Sequence, residues 1–122
     1  MKHPSLALVV AINGAVREAD EWFDDEPDDL ARVKAVLGAA QAVDDAVVVA
    51  ATLAFRLTKA QAFAEGNKRT ALLVARWVLD HNGIDGAQVL PPDDRVLADL
   101  LVKAAMGVDV GLEILDLFVS RS

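Results

Sequence analysis

Apolar residues recur at intervals of three and four along nearly the whole chain, and nowhere does the strict apolar/polar alternation of a half-buried strand take over. This spacing predicts helices near residues 5–18, 28–40, 44–62, 66–82, 93–106 and 110–120, joined by short connections. The expected fold is all-α, a compact bundle of about six helices. Pro4 and Ser5 mark the first start. Asn82-Gly83 stops the fourth helix, because glycine takes the left-handed position after a helix cheaply, and Pro91-Pro92-Asp93 opens the fifth. The third helix, from Asp44-Asp45-Ala46-Val47-Val48-Val49, is apolar almost all round, as is the fourth through Ala71, Leu72, Val74, Ala75, Val78 and Leu79. That pattern belongs to a buried central pair wrapped by the others. The valines are poor helix formers, so burial must hold the third helix in shape.

Composition narrows the class. With 122 residues, 54% of them hydrophobic and 25% charged, the chain reads as one domain, residues 1–122, with a proper core. No cysteine is present, which excludes disulfides, thiolate metal sites and a thiol nucleophile, and fits a reducing compartment. The early apolar run Leu6 to Ile12 is broken by Asn13-Gly14 before any cleavage pattern. The longest uncharged apolar stretch, residues 46–55, falls well short of the roughly 20 residues a membrane span requires. A cytoplasmic protein with no membrane contact is the expectation. The net charge of −7 argues against direct nucleic-acid binding.

Charge is unevenly distributed. Between Glu18 and Asp29 stand eight acidic residues and no basic one, interrupted by Trp22-Phe23 and Pro27. This stretch reads as a solvated loop leading into a helix capped near Asp28, with a contact surface for a basic partner as the alternative. From Arg56 to Arg76 the balance reverses: Arg56, Lys59, Lys68, Arg69 and Arg76 face Glu65 alone, a net +4. Arg56, Lys59 and Arg76 either extend a positive funnel towards an acidic ligand or are ordinary solvated helix charges. Trp22 and Trp77 read as packing residues, and Leu112, Leu115, Leu117 and Phe118 as the stripe that closes the bundle, with any part left exposed open to docking a partner.

Between the third and fourth helices the chain reads Lys59-Ala60-Gln61-Ala62-Phe63-Ala64-Glu65-Gly66-Asn67-Lys68-Arg69-Thr70-Ala71. A glycine at a helix mouth allows close backbone approach, the first-turn N–H groups lack internal partners, and the helix dipole adds positive potential. Lys68 and Arg69 add two charges there and Asn67 an amide, so a phosphate suits the position. Glu65 would oppose a bound phosphate unless a divalent cation lay between them, and Mg²⁺ with a polyphosphate satisfies the whole set. Gly66-Asn67-Lys68 lacks the glycine spacing and Gly-Lys-Ser/Thr order of a Walker P-loop. On generic physics the alternative is a plain polar helix start.

Phe63 to Ala71 resembles the signature of the Fic/Doc superfamily, His-x-Phe-x-Asp/Glu-Gly/Ala-Asn-Gly/Lys-Arg, and looser similarity runs from His3 to Gly83. Lysine at 68, and Leu72 where AMP-transferring Fic enzymes carry a second arginine, are closer to the death-on-curing (Doc) branch. The resemblance implies that Glu65 helps hold Mg²⁺, that Gly66, Asn67, Lys68 and Arg69 cradle the phosphates of ATP, and that Phe63 anchors the loop in the core. It implies a toxin that passes the γ-phosphate to a hydroxyl of a translation factor, elongation factor Tu, and that is restrained by a small antitoxin. The Ser/Thr-x-x-x-Glu-Gly/Asn motif of self-inhibited Fic proteins is absent from the sequence, so restraint is expected from another chain.

One position departs from the pattern. Where the family has its general-base histidine, this chain has Gln61. A carboxamide takes no proton near neutral pH, and general-base catalysis is worth about 10² to 10⁴ in rate. Gln61 is open to three accounts: a degenerate nucleotide-binding member, an active member in which glutamine orients the nucleophile, or a replacement introduced to make a toxic chain producible. Of the two histidines, His81 lies about 20 Å along the fourth helix from the phosphate seat and reads as a partner of the helix dipole. His3 would reach the seat only if the fold brought the N-terminus there.

Overall fold

The computed structural model describes residues 1–17 and 27–122. Seven helices follow one another among these residues: α1 Leu6–Val16, α2 Leu30–Gln41, α3 Ala46–Ala60, α4 Asn67–His81, α5 Gly86–Val89, α6 Arg95–Ala105 and α7 Gly111–Arg121. No strand occurs among them. The six predicted helices are all present, each within a few residues, and the short α5 is an addition. Asp85 accepts from the Ala87 N–H to start that single turn, whose four residues are too few to display a helical period. Most of the acidic stretch, with Trp22 and Phe23, lies outside the described residues.

Local chemistry sets most boundaries. Ser5, Asp29, Asp45, Asp85 and Asp94 each place a side-chain oxygen on a first-turn N–H, at α1, α2, α3, α5 and α6. The α2 cap is Asp29, one residue later than the sequence reading placed it, because Asp28 is used elsewhere. Gly83 takes φ 81° after α4. Among the described residues no helix is long and apolar enough to cross a membrane.

The core lies where α3 and α4 pack along their lengths. Val49, Ala50, Leu53, Ala54, Ala71, Val74, Ala75 and Val78 are fully buried there, and the alanines let the two backbones approach closely. α7 packs on α3, with Ile114 and Phe118 fully buried. This corrects the predicted closing stripe: Phe118 belongs to it, Leu115 and Leu117 are only partly buried, and Leu112 is 74% exposed while Ile114 fills the core.

Arg121, in the last turn of α7, ties the C-terminus back by donating to the Val89 carbonyl and the Asp94 carboxylate. Its hydrogen bond holds the Asp94 carboxyl below the ordinary range, against an opposing push from burial. A lowered carboxyl pKa stabilises the fold above the unfolded-state value and loses that contribution as pH falls through the folded value. Arg121→Gln is therefore expected to lower unfolding stability at pH 7 by about 1–2 kcal/mol. In urea titrations the difference from the parent should shrink steadily in acid, and a difference independent of pH would contradict the pairing.

Candidate functional site

The segment between α3 and α4 is shaped by two left-handed residues. Gln61 ends α3 at φ 47°, and its Nε2 donates to the Thr58 carbonyl at 2.7 Å. Gly66 precedes α4 at φ 75°. A side chain at Gly66 would be strained, and its Cβ would meet Val16 Cγ2 at 3.0 Å and Asn13 Nδ2 at 3.4 Å. The glycine is thus demanded both by its backbone angle and by the close pass of α1.

Hydrogen bonds from four residues, Asn67, Asp29, Asp28 and Asn13, hold the loop between these points. Phe63 is buried, as expected of its anchor. Asn67, 8% exposed, accepts from the Phe63 N–H at 3.1 Å and donates to the Phe63 carbonyl at 2.9 Å. Its amide oxygen and one amide hydrogen are therefore spent on the loop backbone. Asp29 donates its N–H to the Ala62 carbonyl at 2.7 Å, and Asp28 accepts from the Ala64 N–H at 3.0 Å while pairing with Arg17. The Arg17 guanidinium lies 5.8 Å from the Phe63 ring centroid.

The fourth residue comes from α1. Asn13 Nδ2 donates to the Glu65 carbonyl and to Thr70 Oγ1, both at 3.0 Å, and Asn13 is only 2% exposed. Its role was missed in the sequence, where Asn13-Gly14 reads as an interruption of an apolar run. The signal was there: Val9 and Asn13 are the buried residues of α1, four apart, so a polar group sits on the core-facing stripe and must find partners.

The loop delivers an open helix start. Unlike the five helices capped by side chains, α4 has no side-chain cap, and the N–H groups of Asn67, Lys68 and Arg69 have no partner among the described residues. Lys68 and Arg69 are exposed and pair with none of the described residues. Three N–H donors and a helix dipole thus face outward at one mouth, with Lys68 and Arg69 exposed in the same first turn. Glu65, half-buried, stands immediately before Gly66 at the same place. No group of three or more His, Asp and Glu side chains is arranged for a metal among the described residues. The mouth therefore offers at most one carboxylate, Glu65, and any metal there would need its remaining ligands from a bound ligand and water.

Both histidines are engaged elsewhere. His3 Nε2 lies 2.9 Å from the Val43 carbonyl. His81 Nδ1 lies 2.9 Å from the Trp77 carbonyl and its ring stacks on Trp77 at 4.3 Å between centroids. Beyond the mouth, Arg69, Leu72, Leu73 and Arg76 share the outer face of α4 by their spacing. Leu72, Leu73 and Arg76 form one wall of a cleft of about 570 Å³, with Leu90, Pro91 and Leu97 opposite.

Compared with known proteins, residues 6–79, more than half of the chain, match the model of the Fic/DOC family. No curated protein matches the chain.

Proposed function

The chain belongs to the Fic/Doc family, and from that premise we propose that it binds Mg-ATP at the start of α4 and represents the Doc branch, passing the γ-phosphate to a hydroxyl of a translation factor such as elongation factor Tu. The observation that supports this reading is the α4 start, where the first N–H groups have no partner among the described residues and Lys68 and Arg69 are exposed in the same turn. Glu65 would share the magnesium, which would supply charge neutralisation between the phosphates. Gly66 lets the backbone pass close, while Phe63 and Asn67 hold the loop that presents it.

Lys68 and Leu72 favour phosphate transfer over AMP transfer, since the AMP-transferring branch has an arginine where Leu72 lines the apolar cleft. That cleft lies one to two helical turns beyond Arg69, a distance suited to the nucleoside end of the same ligand. A small antitoxin supplied by another chain is the corresponding restraint. A second reading, a nucleotide-binding module without catalysis, is favoured by Gln61, whose amide is committed to the Thr58 carbonyl.

The seat is tested by calorimetry. Arg69→Ala and Lys68→Ala should each weaken Mg-ATP binding about tenfold, as loss of one charge-assisted contact predicts. Affinity indifferent to both substitutions would reduce the α4 start to an ordinary helix end.

A further inference from the structure

A groove of about 430 Å³ runs between α2, α3 and the connection into α7. Phe55, half-buried, is its aromatic floor. Three cations line it, Arg32, Arg56 and Lys59, with Asp109 the one acidic lining residue; Arg32 is itself paired with Asp29 at 3.5 Å, so the excess positive charge is that of Arg56 and Lys59, in a chain whose net charge is −7. Their positions are partly set in advance. Arg32 Nη1 donates to the Ala60 carbonyl at 2.9 Å, and Lys59 Nζ lies 5.6 Å from the Phe55 ring centroid.

Arg32 and Lys59 also serve the C-terminal end of α3, where cations are favourable. Arg56 does not. It sits one turn earlier, exposed, and pairs with none of the described residues. A second hollow of about 270 Å³ continues the groove past Phe55, Arg56 and Asp109 to Leu112 and Leu115, with Leu112 74% exposed. The floor is firmly backed: a Cβ at Gly111 would stand 3.2 Å from Phe55 Cδ2, so the start of α7 already abuts the ring. Little ordering is then left for a ligand to impose.

A cationic end, an aromatic floor and an apolar end in one continuous hollow complement a segment that carries carboxylates followed by a leucine-type side chain. We propose that this groove docks an acidic, leucine-bearing segment of a partner protein. The cationic end stops at Ala60, the residue before Gln61. On the phosphoryl-transfer reading, on which this one identification rests, the partner is the acceptor and the groove leads its next residue to Gln61. Electrostatic complementarity of this kind governs encounter and specificity.

The test uses the whole chain without nucleotide and fluorescent twelve-residue peptides of one design, carrying two leucines with four glutamates, four glutamines or four lysines. The acidic peptide should bind with a Kd below about 100 µM, weaken as salt is raised, and lose about tenfold in affinity to Arg56→Glu/Lys59→Glu and severalfold to Leu112→Ser. The exposed positions of these side chains predict unchanged melting, and Arg56→Gln/Lys59→Gln gives the same ordering with a milder charge change. No binding of the acidic peptide up to about 1 mM, equal binding of the glutamine peptide, indifference to the charge reversals, or tighter binding of a single-stranded RNA oligonucleotide would each overturn the groove. Lys68→Ala and Arg69→Ala should leave peptide binding intact, so that failure of the ATP seat and failure of the groove are read separately.

Discussion

Gln61→His is expected to raise transfer of label from γ-labelled ATP to elongation factor Tu by about 10² to 10⁴-fold, the usual worth of a general base. The geometry favours the substitution. Gln61 sits at φ 47° and ψ 42°, a left-handed conformation that histidine is among the better non-glycine residues at adopting. The Gln61 amide is tied to the Thr58 carbonyl, and a carboxamide takes no proton near neutral pH, whereas an imidazole titrates close to it. Transfer by the histidine protein should accordingly rise with pH through about 6.5, as the imidazole becomes free to accept a proton. Label from the α position instead would assign AMP transfer. Absence of transfer in both proteins, with Mg-ATP still bound, would assign the chain to nucleotide binding without catalysis.

Asn13→Ala is expected to cost about 2–3 kcal/mol of stability, because it removes a buried donor from two acceptors and leaves the Glu65 carbonyl and Thr70 hydroxyl facing a void. For a chain of this size that corresponds to a fall of about 8–12 °C in Tm. The effect should reach beyond stability. Asn13 fixes the Glu65 carbonyl on one side of Gly66 and Thr70 on the other, so the open turn of α4 loses its registration with the loop. Mg-ATP affinity, measured well below the lowered Tm, should drop about tenfold. A protein destabilised by this amount yet binding Mg-ATP normally would show that Asn13 serves packing alone.

These two side chains mark where the sequence was legible. Gln61 stood out because it occupies a defined place in a nine-residue pattern that matches a family signature. Asn13 belongs to no pattern that survives without coordinates: its partners are 52 and 57 residues away along the chain. Asn67 illustrates the same division. Its identity pointed to the phosphate site, but the direction of its amide, inward on Phe63, depended on how the loop closed.

The helices, their approximate limits and the burial of α3 against α4 were decided by the sequence alone, since apolar periodicity and capping aspartates act over a few neighbouring residues. The cationic, uncapped mouth of α4 was equally local, being written in Gly66-Asn67-Lys68-Arg69. Tertiary structure alone decided which side chain of α7 fills the core, how Asp28, Asp29, Arg17 and Asn13 clamp the loop, and that Arg56 and Leu112 share one hollow. Those outcomes depend on contacts between residues far apart in the chain, which close packing selects and no local spacing encodes.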